Sequence, residues 1–127
     1  MAEPMRVLFD FGALTLEVEL FDTPTAAAIA AALPIDGVAL TWGEEVYFEV
    51  PVRAAREKGA RTVIQPGEIA YWPEGHAIAI GFGRTPISEA GETRLASPCN
   101  IWAKALGDVK TLSGVKEGAK VRVSGAD

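Results

Sequence analysis

Residues 67–86 read Gly-Glu-Ile-Ala-Tyr-Trp-Pro-Glu-Gly-His-Ala-Ile-Ala-Ile-Gly-Phe-Gly-Arg-Thr-Pro. Two runs rich in isoleucine and aromatics, 69–72 and 77–82, are separated by Pro73-Glu74-Gly75 and preceded by Pro66-Gly67. Short apolar runs bounded by turn formers predict β-strands. Gly81 and Gly83 flank Phe82, and glycine at such a point signals a bulge or the close approach of another backbone. His76 and Arg84 fall at the turns, where a β scaffold presents chemistry to water.

The pattern extends in both directions. Residues 5–11 alternate, with Met5, Val7, Phe9 and Phe11 on one face. After Gly12, Leu14, Leu16, Val18 and Leu20 alternate with Thr15, Glu17 and Glu19, the period of a half-buried antiparallel strand. The two runs form an expected hairpin. A helix is expected over 26–33, with Thr23 as cap, Pro24 in its first turn and Pro34 as its stop. Val38, Leu40 and Trp42 alternate, Gly43-Glu44 turns the chain, and Val46, Phe48 and Val50 alternate with Glu45, Tyr47 and Glu49, a second hairpin. Residues 52–59 read as a solvated loop or a single helical turn, and 62–64 as a short strand. Residues 84–98 are polar and read as a long loop, a feature often tied to function. Further strands are expected over 100–106, 109–112 and 119–123. Many short strands at about ten-residue spacing predict a mainly β fold, a closed antiparallel barrel of about eight strands with one or two capping helices. Closure removes the exposed edges that invite aggregation.

A chain of 127 residues with 49% hydrophobic and 23% charged content reads as one globular domain, 1–127. Its 17 acidic and 12 basic residues leave a net charge of −5, which repels phosphate backbones and excludes nucleic acid as an expected partner. The single cysteine, Cys99, forms no internal disulfide and no multi-cysteine metal site. It reads as a small buried hydrophobe; as a nucleophile it would need a base, and His76 is the only histidine. The segment 1–6 has no apolar core of signal-peptide type, and the longest apolar run, 26–35, is too short to span a bilayer. The expectation is a soluble cytoplasmic protein with no membrane partner, no metal and no cofactor.

Candidate chemistry falls on few residues. His76 could shuttle protons near neutral pH, or be a solvated turn residue. Tyr71 and Trp72 are adjacent, so on a strand they face opposite sides, one toward a core and one toward a cleft. Glu44, Glu45, Tyr47 and Glu49 form a polar hairpin face: a solvated surface, or paired carboxylates for acid/base work or a hard cation. Arg84 could clamp a carboxylate or amide, or be a surface arginine. Gly81-x-Gly83 is no phosphate loop, because no Gly-Lys-Ser/Thr follows.

Residues 18–25, Val-Glu-Leu-Phe-Asp-Thr-Pro-Thr, leading into a helix, resemble the opening of cyclophilins. Residues 67–75 and 80–86, with Ser97-Pro98-Cys99-Asn100, resemble the small prokaryotic cyclophilin-like proteins, a family of largely uncharacterised function. The resemblance covers nearly the whole chain and implies an eight-stranded barrel with capping helices. Residues 41–50, where true peptidyl-prolyl isomerases carry a Phe-His-Arg segment and a glutamine, hold no histidine, arginine or glutamine. The resemblance thus implies a binding module, holding a small molecule or short peptide in a cleft lined by Tyr47, Phe48, Tyr71, Trp72, His76, Phe82 and Arg84. One alternative is a divergent isomerase, with Arg84 or His76 as catalytic candidates and Phe48, Phe82 and Trp102 as the proline pocket. Another is an accessory subunit binding a lactam or urea-like substrate in an amide-processing system. An apolar patch could also pair two barrels as a homo-oligomer.

Overall fold

The computed structural model describes residues 5–126. Among the described residues there are ten strands: β1 (Arg6–Asp10), β2 (Thr15–Leu20), β3 (Ile35–Val38), β4 (Leu40–Thr41), β5 (Glu45–Glu49), β6 (Arg61–Ile64), β7 (Glu68–Trp72), β8 (Ala77–Gly81), β9 (Thr93–Ala105) and β10 (Lys120–Gly125). One α-helix, α1 (Pro24–Ala32), and one 3-10 helix (Val109–Gly114) accompany them. Nine strands form an antiparallel path in the order β3-β10-β1-β2-β9-β7-β8-β5-β4, and β6 pairs with β9 off that path. The path curls into a nearly closed barrel. At its seam Gly37 of β3 lies so close to β5 that a Cβ there would stand 3.0 Å from the Phe48 ring.

The alternation read from sequence fills the barrel. Val7, Phe9, Leu16, Val18, Val46, Phe48, Ile69, Tyr71, Ile78, Ile80, Trp102 and Val123 point inward. Phe9 sits at the centre, its ring edge-on to both Phe48 and Trp102 at about 6 Å between centroids. That geometry suits aromatic quadrupoles. Helix α1 forms as its caps dictate: Thr23 accepts a hydrogen bond from the Ala26 amide and Pro24 occupies the first turn. It buries Ala26 and Ile29 against the barrel.

Three expectations need correction. Val38 and Leu40 were expected inward, but Ile35 and Ala39 are buried and Val38 is 54% exposed. The alternation runs in phase from β3 through Ala39 into β4, with Ile35, Gly37 and Ala39 turned inward and Asp36, Val38 and Leu40 turned to solvent. Residues 109–112 form a 3-10 turn capped by the Asp108 carboxylate rather than a strand. Residues 93–98 belong to β9 rather than to a loop, since Thr93, Leu95 and Cys99 are buried beneath β6. The loop before them is tied from within: the Thr85 hydroxyl donates to the Arg94 carbonyl, and the Ser88 hydroxyl accepts from the Thr85 and Arg94 amides.

Strand β9 is the organising element. Its second half pairs with β7 and β2 in the barrel wall, and its first half pairs with β6 in a ribbon outside it. The register between β6 and β9 slips across residues 95–98, so Arg61 faces Cys99 while Val63 faces Arg94. Pro98 fits there because a bulge tolerates a missing amide proton. Asn100, just past the slip, is buried and fully engaged. Its Oδ1 accepts from the Glu57 amide, and its Nδ2 donates to Thr25 Oγ1 and the Ala55 carbonyl. The Glu57 carboxylate in turn accepts from the Thr25 amide and hydroxyl at the start of α1. Tyr71 pins the same loop from inside the barrel, donating to the Val52 carbonyl at 2.6 Å and accepting from the Ala54 amide at 3.2 Å.

Removing either anchor leaves buried backbone groups unpaired. Tyr71→Phe is expected to cost about 1–3 kcal/mol and Asn100→Ala about 2–4 kcal/mol of unfolding free energy. Urea denaturation monitored by tryptophan fluorescence measures both. Midpoints equal to the parent protein's would show that neither network holds the loop.

Candidate functional site

The outward faces of β5, β7 and β8 do not all meet solvent. Residues Ala70 and Ala79, paired across β7 and β8, form a floor of small side chains. The ribbon of β6 and the first half of β9 covers this floor with Ile64, Leu95 and Cys99, creating a second apolar cluster outside the barrel. Part of the floor stays uncovered. There a hollow of about 250 Å³ is lined by Trp42, Glu45, Tyr47, Trp72, Ala79, Leu95, Ala96 and Cys99.

Local sequence sets each wall. Glu45 and Tyr47 lie two apart on β5, opposite in sense to the inward Val46 and Phe48, so both reach the outer face. Trp72 ends β7 with its indole Nε1 donating to Ser97 Oγ at 2.8 Å, across to the β9 bulge. Gly75 lies against the same indole, where any Cβ would collide with the ring. His76 closes that turn in the left-handed region at φ 49°, and its carbonyl accepts from the Val50 amide. Trp42 is held in the β4–β5 turn, its amide donating to the Glu45 carbonyl at 3.0 Å.

The adjacent glutamates of this turn have opposite fates. Glu44 is exposed but employed: its carboxylate accepts from the Arg84 amide, and its own amide donates to the Arg84 carbonyl. Glu45 is 6% exposed, and among the described residues its Oε1 has no hydrogen-bond partner. Burial among apolar side chains pushes its carboxyl up to about 7, because the charged form is the one penalised. The Cys99 thiol on the facing wall is pushed up to about 12 by burial first and by the neighbouring Glu45 and Glu74 charges second. A thiol so placed is neutral and inert as a nucleophile at physiological pH.

The seven residues expected to share one cleft separate into four settings. Tyr47 and Trp72 line the hollow. Phe48, Tyr71 and Phe82 belong to the barrel interior. His76 borders a different depression, with Glu49, Val52 and Arg53. Arg84 is exposed and borders another, which Phe82 also reaches from the edge of the core, with Gln65, Glu89 and Lys110. Trp102 is wholly buried in the core. No single depression gathers Trp72, Phe82 and Arg84. Trp42, Ala79, Leu95, Ala96 and Cys99 line the hollow too, and no local pattern in the sequence marks them for it. Glu45, expected on a solvated face or in a carboxylate pair, is instead buried in this wall. A usable signal was the two-residue spacing of Glu45 and Tyr47 on a strand whose other face is wholly apolar.

Glu45 makes stability depend on pH in a defined direction. Its carboxyl titrates near the ordinary 4.5 when unfolded and near 7 when folded, so the folded state holds the proton more tightly. Stability from this group is therefore complete below pH 4.5 and is lost as pH rises through 7. Glu45→Gln is expected to raise stability by about 1–3 kcal/mol above neutrality, with the gain vanishing in acid. Denaturation midpoints of the two proteins across pH test this; a constant offset would contradict it.

A family model described as Cyclophilin-like matches residues 5–124. The solution structure of the hypothetical protein AF2241 from Archaeoglobus fulgidus superposes with a TM-score of 0.84 at 38% identity, covering 99% of this chain and 100% of that one. A structure of McbB in complex with tryptophan superposes with a TM-score of 0.64 at 16% identity, covering 94% of this chain and 44% of that one, a likeness of fold. No curated protein matches the chain. With the barrel in place and the family pattern matched from the first strand to the last, the protein belongs to the cyclophilin-like family.

Proposed function

We propose that the protein binds a small molecule in the hollow between the barrel wall and the β6–β9 ribbon. The observation that carries this reading is Glu45: a buried carboxyl with an unpartnered oxygen, set in a wall that is otherwise apolar and aromatic. An unsatisfied buried acceptor costs about 1–3 kcal/mol, and a bound donor would recover that loss. Apolar walls with one or two placed polar groups are the usual make-up of a ligand site. At about 250 Å³ the hollow suits a small molecule or one side chain of a peptide rather than an extended segment. The broader depression beside Asp36 and Arg122 is a weaker candidate, because those two residues already pair with each other at 3.0 Å. McbB, solved in complex with tryptophan, lends support in that a protein sharing this fold over part of its length holds a small molecule.

Isomerase chemistry draws no support from the arrangement. Of the expected proline pocket, Phe48 and Trp102 are wholly buried, and Phe82 alone borders the depression that Arg84 borders.

An NMR screen of neutral aromatic and branched aliphatic fragments tests the binding reading. Hits are expected to shift the amides of Tyr47, Ala79 and Ala96, and Trp72→Ala is expected to weaken them by about tenfold, the loss of one aromatic wall. Fragments that shift only residues elsewhere would overturn it. In a second measurement, the cis/trans exchange rate of a short proline peptide is expected to stay unchanged on adding the protein.

A further inference from the structure

We infer that the ligand of this hollow is an organic cation, an alkylammonium whose N–H donates to Glu45 while its carbon chain lies among Trp42, Tyr47 and Trp72. The inference rests on the binding reading above and adds the chemical class. Three aromatic side chains line one small hollow together with one acidic side chain. Ring faces carry negative potential and attract cations, most strongly where water is excluded. Glu45, in the wall of the same hollow, supplies the opposite charge and an acceptor that no described residue occupies. None of the lining residues is a lysine or arginine, so nothing within the described hollow already neutralises that carboxylate.

The surrounding charges favour the same sign. On β9 the facing titratable group is Cys99, held neutral by its raised pKa. β8 contributes only Ala77 to Gly81, with no titratable side chain. Glu74, between β7 and β8, and Arg56, in the loop before β6, act on this region from outside, and they pair with each other at 3.1 Å. Glu44 is engaged with the Arg84 backbone. The field in the hollow is thus that of Glu45, and a bound cation would favour its ionised form. A carboxylic acid ligand would meet like charge, and a neutral alcohol would engage neither the Glu45 charge nor the ring faces as a cation does.

Three probes of one shape separate these cases: isopentylamine, 3-methylbutan-1-ol and isovalerate, titrated against tryptophan fluorescence and amide NMR shifts. The amine is expected to bind about tenfold or more tighter than the alcohol at mildly alkaline pH, and isovalerate not to bind. The preference for the amine should shrink as pH falls below about 7 and the carboxyl takes up its proton. Glu45→Gln, which keeps the shape, should erase the preference while leaving the alcohol's affinity in place. Trp42→Leu should weaken the amine more than the alcohol. Equal affinity for amine and alcohol in the parent protein would overturn the cation assignment and leave the binding hollow standing. Amine binding that survives Glu45→Gln unchanged would likewise overturn it. If no probe binds although neutral fragments occupy the hollow, the cation assignment alone fails; if those fragments also miss it, the binding reading fails with it.

Discussion

One strand has to satisfy two cores at once, and the rest of the architecture follows from that constraint. The second half of β9 supplies Trp102 and Ala103 to the barrel interior, while its first half supplies Leu95 and Cys99 to the layer outside. Changing partners within a single strand requires a break in register, and the break falls at 95–98. The displaced residues are not idle. Ser97 Oγ accepts a hydrogen bond from the Trp72 indole N–H, and Leu95 and Ala96 become wall. Asn100 locks the position of the break by tying it to the 54–57 loop and the start of α1. The hollow therefore exists because the ribbon covers the barrel wall incompletely.

The contrast between Glu44 and Glu45 shows how one turn divides structural from unspent chemistry. Glu44 closes the chain against the 82–85 segment, where Gly43 and Gly83 leave room for so close a contact: a Cβ on Gly43 would stand 2.9 Å from the Arg84 carbonyl. Glu45 receives no such employment. A fold selected for stability alone would place glutamine, serine or an apolar residue there, since burying a lone carboxyl is costly. Buried, unpaired ionisable groups cluster at functional sites for this reason.

Much of the barrel was legible because its strands are half-buried. Leu16, Val18 and Leu20 against Thr15, Glu17 and Glu19 can only be read with period two, and the Thr23-Pro24 start of α1 is an equally local signal. The ribbon was illegible for the converse reason. Thr93 to Pro98 holds one large hydrophobe, and its strand character comes from pairing with β6, a long-range event that leaves no periodic trace. The 109–112 segment failed similarly: Val109 and Leu112 are spaced three apart, the period of a 3-10 turn, but the run is too short to distinguish from a strand. The aromatic residues near the turns were rightly singled out as informative, yet adjacency in sequence did not give adjacency in space. Tyr71 and Trp72 point to opposite sides of one sheet, into the core and into the hollow.

The barrel's seam has its own corollary. β3 and β4 end the strand path, yet Ala39 alone separates them: its amide donates to the Ala119 carbonyl and its carbonyl accepts from the Gly118 amide, so the chain itself bridges the seam. Each end is also short, with four and two residues, and on β4 the Thr41 amide is claimed by the Glu117 carboxylate. A seam stitched in this way leaves Val38 bare to water without offering a template long enough for fibril growth.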